Sequence, residues 1–265
     1  MLDPDRPIYD RAPLKLVAFQ LRFAPVHELD AVSPPREIVV GLRERYPILG
    51  TPPEVQVDFL PGSTQQRTRG SRFLNRAKTW SISLTGDAIA IETSRYTRYE
   101  KFAEHVRWVL DRVHAVTPFP AVLRVGLRYI DEIEVDGVDA LDEWKPWITN
   151  DLLVGGLIGG YRTREYLAHA NVEIDDFSGM TVRYGRVDQP VVSTAGPLRI
   201  NESPTGPYFL LDIDSFWQPS DDAFLEYDAA EVETTMLALH DPIREVFEGA
   251  VTPQLLARFH DPRTA

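Results

Sequence analysis

Asp212 and Asp214 stand two residues apart in the run Leu210-Leu211-Asp212-Ile213-Asp214. If that run is a strand, side chains alternate between its faces and both carboxylates point the same way. Paired carboxylates hold Mg²⁺ through hard oxygen ligands, or divide acid and base roles between them. Glu132 and Glu134 repeat the spacing in a stretch that also holds Arg124 and Arg128. Were the two stretches neighbouring strands, four carboxylates and two guanidinium groups would line one cavity. That arrangement suits a metal-dependent phosphohydrolase, with Asp212 and Asp214 as the metal candidates. The plainer alternative is a polar sheet surface facing solvent.

A second candidate is basic. Arg67, Arg69, Arg72, Arg76 and Lys78 fall in a stretch that contains no acid, and Arg95, Arg98 and Lys101 follow. If a strand around Phe73–Ile82 pairs with Ile89–Ser94, the two groups converge at one end of a hairpin. Guanidinium forks gathered there hold phosphates by charge and geometry. Phe73, Tyr96 and Tyr99 would offer stacking surfaces beside them. The same patch would equally dock an acidic protein, or form a solvated edge.

The acids are segregated too. Asp131, Glu132, Glu134, Asp136, Asp139, Asp142 and Glu143 lie together with no intervening base. Surfaces of opposite sign on one molecule favour self-association or a charged protein partner. The whole chain carries 28 Lys+Arg against 40 Asp+Glu, a net charge of −12, so its overall field repels nucleic acid and anionic membranes. Nucleic acid would have to bind through the local basic patch.

Other chemistries lack their residues. There is no cysteine, which removes disulfides, thiolate metal sites and thiol nucleophiles. None of the six histidines stands in a close metal-ligand spacing, and His240-Asp241 and His260-Asp261 are isolated dipeptides. No G-x-G-x-x-G, P-loop or G-x-S-x-G sequence occurs. No catalytic residue is assigned and no cofactor is expected.

The elements that must position these groups are legible. Leu14–Phe23 is apolar on both faces and reads as a central strand. A helix is expected over Pro35–Tyr46, with Ser33 as its cap, and a strand over Glu54–Leu60. Trp80, Ile82 and Leu84 alternate with small polar residues, Gly86-Asp87 turns, and Ile89 and Ile91 resume the alternation, which is a hairpin. Phe102, Val106, Val109, Leu110 and Val113 form one stripe of a helix over Tyr99–Ala115. A long strand follows over Val122–Val135. A short helix is expected over Asp139–Ile148, then strands at Ala170–Ile174, Gly179–Val187 and Tyr208–Phe216. Asp228, with Glu231 three residues on, opens a helix that Pro242 should bend or split. Thr252-Pro253 opens a last short helix.

The reading is an α+β protein: mostly antiparallel sheet with helices packed on one face, in one compact unit of residues 1–265. Each half repeats strands followed by a helix, so two related halves, 1–136 and 137–265, are an open alternative. No stretch nears the roughly 18 apolar residues of a membrane helix, and the first residues do not read as a signal peptide. A cytoplasmic protein is expected.

Four segments carry a resemblance. They are Ala12-Pro13-Leu14 running into Val17–Phe23, the strand Arg124-Val125-Gly126-Leu127-Arg128-Tyr129-Ile130, the run Leu210–Asp214, and the closing Leu239-His240, Phe247-Glu248 and Val251-Thr252. In this order the chain resembles a sporadically distributed bacterial family of roughly 250-residue proteins of unassigned function. Where that family often has Asn after the middle strand's Ile, this chain has Asp131. The resemblance implies a bacterial, cytosolic protein and brings no catalytic residues. Sporadic distribution is shared by mobile and defence-type gene systems. The tunnel-type polyphosphate enzymes, by contrast, start with alternating Glu and Lys, and this chain has Lys15, Gln20 and Arg22 there. The expectation is therefore a non-catalytic interaction protein binding a protein partner or itself, with nucleic-acid binding or processing and metal-dependent phosphohydrolysis as alternatives.

Overall fold

In the computed structural model, the described residues form nine strands in one sheet, in the order β2-β3-β4-β5-β1-β6-β9-β8-β7, and every neighbouring pair is antiparallel. The structure describes residue 9 and residues 12–30, 33–50, 70–153, 163–193, 196–200, 206–219 and 224–260. The strands are β1 Leu14–Phe23, β2 Ile48–Gly50, β3 Ser71–Leu74, β4 Trp80–Thr85, β5 Ala88–Thr93, β6 Val122–Ile133, β7 Ala168–Glu173, β8 Ser178–Val187 and β9 Tyr208–Trp217. The α-helices are α1 Arg36–Leu42, α2 Tyr99–Val116, α3 Ala229–Ala250 and α4 Pro253–His260.

Alternation along the strands sorts the core. Val17, Phe19, Leu21 and Phe23 of β1 and Val125, Leu127 and Tyr129 of β6 join the buried stripes of α2 and α3 in one large apolar cluster. The opposite face bears no helix residues in its own smaller cluster of Leu16, Leu74, Ile130, Leu198, Ile200 and Leu210. All four α-helices among the described residues thus pack on one face, as an α+β reading of the periodicity requires. No helix among the described residues is long and apolar enough to cross a membrane.

The sheet order has an internal regularity. β1 lies at the centre; the meander β3-β4-β5 walks back to it, and α2 follows. β6 lies beside β1; the meander β7-β8-β9 walks back to it, and α3 follows. The repeat of topology begins at β6, so a division at residue 136 would fall behind the first strand of the second half.

Several local expectations need correction. α1 ends at Leu42 and has no side-chain cap; Pro35, not Ser33, precedes it. Residues 139–148 form no α-helix. They make a single 3-10 turn, Leu141–Trp144, whose geometry lets Trp144 drop fully into the core. α3 runs unbroken through Pro242. Its cap is the expected one, with the Asp228 carboxylate accepting from the N–H groups of Ala230 and Glu231. The expected strand over 54–60 lies outside the described residues.

Candidate functional site

The register of three strands builds a polar layer on the helix-free face. β6 sets Arg128 opposite Asp214 and Ile130 opposite Asp212; β8 sets Thr181 and Arg183 against Asp214 and Asp212 from the other side. The condition that the two stretches be neighbouring strands is met by β6 and β9, with Glu134 just beyond the end of β6. Their surroundings differ from a solvated surface, because Arg124, Arg128, Glu132, Asp212 and Asp214 are all buried.

Each of the two aspartates has a cationic partner. Arg128 donates from Nε and Nη2 to the two oxygens of Asp212, both at 2.7 Å, and Arg183 donates to Asp212 Oδ2 at 3.2 Å. Arg124, 1% exposed, donates to Asp214 at 3.3 Å and to Gln20 at 3.1 Å. Its guanidinium occupies the space above Gly126, where a Cβ would collide with Arg124 Nη1. Burial pushes the Asp214 carboxyl up to about 6 against the pull of Arg124 and Arg128. Burial likewise lowers Arg124, while for Arg128 the hydrogen bonds and charge of Asp212 outweigh burial and raise it. Asp214 Oδ1 is buried without a hydrogen-bond partner among the described residues.

This layer is a poor cation site. A metal at Asp212 would face two guanidinium groups aimed at the same oxygens. Glu132 is turned to the N–H groups of Val191 and Val192, and Glu134 pairs with Lys15. Among the described residues no group of three or more His, Asp or Glu side chains could hold a metal ion. The cover over this face also comes from residues 187–193 and 196–200. Leu198 and Ile200 join Leu16, Leu74, Ile130 and Leu210, and Val187 and Val192 pack against that cluster. No periodicity marks this covering segment in the sequence.

The basic residues divide. Arg67 and Arg69 lie outside the described residues. Arg72 is no surface group: it is buried on β3, opposite Ser83, and its guanidinium donates to Ser83 Oγ. Arg76 and Lys78 are exposed in the β3–β4 turn, and Arg95 and Arg98 are exposed between β5 and α2. The two groups meet as expected, because the Ser94 N–H donates to the Thr79 carbonyl at 3.0 Å. A fifth base joins them. The Arg199 N–H donates to the Lys78 carbonyl at 2.6 Å, and Ser94 Oγ donates to the Arg199 carbonyl at 2.8 Å. Arg199 follows Leu198, whose apolar anchoring brings the segment to this end of the sheet. Nothing local in the sequence marked it.

None of Arg76, Lys78, Arg95, Arg98 and Arg199 makes a side-chain ion pair with a described residue. Glu100 is the one acid in the first turn of α2, and no side chain caps that turn, so its N–H groups add partial positive charge. The expected stacking rings are not available. Phe73 and Tyr99 are buried, and Tyr96 packs edge-on against Tyr129 and accepts a hydrogen bond from its hydroxyl at 3.0 Å.

No family model, curated protein or solved structure matches this chain.

Proposed function

We propose that the chain is a non-catalytic interaction protein of the cytoplasm that docks an acidic surface of a protein partner on the basic end of its sheet. The observation that carries the reading is the set of five exposed bases, held together through backbone hydrogen bonds and lacking counter-ions among the described residues. Groups suited to chemistry are committed elsewhere: Asp212 and Asp214 are each bound by arginine in a buried layer. On a molecule of net charge −12, a basic cluster without counter-ions among the described residues steers an acidic partner to one orientation.

Nucleic acid is the second reading, favoured by the four arginines among the five bases, whose forks fit phosphate oxygens. The buried rings weigh against it, because single-strand binding draws much of its affinity from stacking.

The experiment is an affinity pull-down of the tagged protein from its native host, with and without nuclease. It is run alongside a variant carrying Arg76→Glu, Lys78→Glu, Arg95→Glu and Arg98→Glu. A stoichiometric protein that survives nuclease and is lost with the variant or at high salt supports the first reading. Nucleic acid lost on the same variant supports the second. An eluate identical for both proteins overturns both.

A further inference from the structure

β7 ends the sheet, and among the described residues no strand pairs with its outer edge. All its residues from His169 to Glu173 are exposed, as are Leu167, Ile174 and Phe177 around it. Long open edges are normally blunted by lysine, proline or a bulge. β7 has none of these, and it pairs with β8 in unbroken register.

The backbone polarity of this edge is fixed by its partner. Tyr166 N–H donates to Arg186 and Ile174 N–H to Ser178, so even-numbered residues between them point their backbone groups at β8. Leu167, His169, Asn171 and Glu173 therefore turn N–H and C=O outward. Their side chains share the helix-free face with Arg183 and Thr181, and the Thr181 hydroxyl donates to Asn171 Oδ1 at 3.0 Å. Ala168, Ala170, Val172 and Ile174 lie on the other face.

We propose that β7 is a homodimer interface, in which two copies of this chain pair their β7 strands antiparallel about Asn171 and join two sheets edge to edge. A two-fold axis normal to the sheet keeps like faces together, so partners must have the same parity. Centring on Asn171 sets His169 against Glu173 of the second copy, twice. On the apolar face it sets Ala170 against Val172 and Ala168 against Ile174, a small side chain opposite a larger one each time. Outward backbone groups of residues 169, 171 and 173 meet outward groups of the other copy. The neighbouring registers fit less well. Centring on Ala170 sets Leu167 against Glu173. Centring on Val172 sets His169 against Asp175, whose Oδ1 already accepts from the N–H groups of Phe177 and Ser178. The pairing of imidazole with carboxylate, and of small with larger apolar side chains, thus selects a second copy and one register. No residue of the basic end takes part in this interface.

Sedimentation velocity over a concentration series tests it. The wild-type chain sediments as a dimer at high micromolar concentration. Asn171→Pro removes the central N–H and yields monomer. His169→Glu and Glu173→Lys each set charges of one sign or mismatched groups across the strands and raise the dimer Kd by about tenfold or more. Mixing the last two chains restores a dimer containing one of each, since the carboxylate introduced in one then faces the ammonium group introduced in the other. Far-UV circular dichroism confirms that these exposed changes leave the fold intact. A wild-type chain that stays monomeric overturns the proposal, and so does a dimer indifferent to these changes or a mixture that fails to pair. Charge reversal at Arg95 and Arg98 leaves the dimer unchanged, which separates this outcome from the docking of a partner.

Discussion

Arg128 and Asp212 meet in a fork, with two parallel hydrogen bonds of 2.7 Å between side chains that are both buried. Each charge is made tolerable inside the sheet largely by the other. Arg128→Met leaves Asp212 with Arg183 alone, and the expected loss is about 3–5 kcal/mol of folding stability. The double change Arg128→Met with Asp212→Leu recovers part of it, because no desolvated charge remains at either position. Urea denaturation midpoints of the two variants decide the matter.

Gly126 exists for Arg124. A methyl group there would collide with the guanidinium that Gln20 and Asp214 hold in place. Gly126→Ala is expected to cost about 1–3 kcal/mol, the usual penalty for crowding a packed interior. Gly249, exposed near the end of α3 with nothing within 4 Å of its would-be Cβ, is the control. Gly249→Ala stabilises by up to about 1 kcal/mol through helix propensity. Thermal unfolding of both proteins gives opposite shifts.

Asp131 sets a slope on the alkaline side. Burial, reinforced by the charge of Asp212, pushes its carboxyl up to about 8. The folded state thus holds a proton that the unfolded chain releases near pH 4. This contribution to stability is complete below about pH 4 and is lost as pH rises through 8. Asp131→Asn, neutral at every pH, flattens that slope in a series of urea titrations from pH 5 to pH 9. Its expected stability relative to the wild type therefore grows as pH rises.

His105 acts in the opposite direction. Burial, with the nearby charge of Arg45, lowers it to about 4, and its ring nitrogen meets the Tyr46 hydroxyl. Its contribution is complete above the unfolded pKa of about 6.5 and is lost as pH falls towards 4. His105→Gln keeps a polar partner for Tyr46 and does not titrate. The acid limb of its stability curve between pH 6.5 and pH 4 is expected to be shallower than that of the wild type.

The basic end is expected to contribute to binding and not to folding. Arg95 and Arg98 are exposed and make no ion pair with a described residue. Arg95→Glu with Arg98→Glu is expected to move stability by no more than about 0.5 kcal/mol. The same variant loses the captured partner, and the comparison separates a docking surface from a structural one.

Periodicity along the chain was enough to determine the class of fold and most of its elements. The alternation in Trp80–Leu84 and Ile89–Ile91 specifies a hairpin, and the stripe from Phe102 to Val113 specifies α2, because each pattern buries one face only in one conformation. Asp228 determined the start of α3, since its carboxylate answers backbone N–H groups three residues away or fewer. Pro242 does not split α3, which passes through it, held by the contacts of Leu239, Ile243 and Phe247 with the core. Tertiary structure alone decided the state of the polar residues. Asp212 and Asp214 share a face by local geometry, but their burial against Arg124, Arg128 and Arg183 depends on strands 29 to 90 residues away. Arg72 and Arg76 look alike in the sequence, yet one is buried on β3 and the other exposed in the turn after it. Arg199 reaches Lys78 only because Leu198 and Ile200 bury themselves on the sheet. Local propensity acts over a few residues, whereas charge burial is set by which distant segments cover a face.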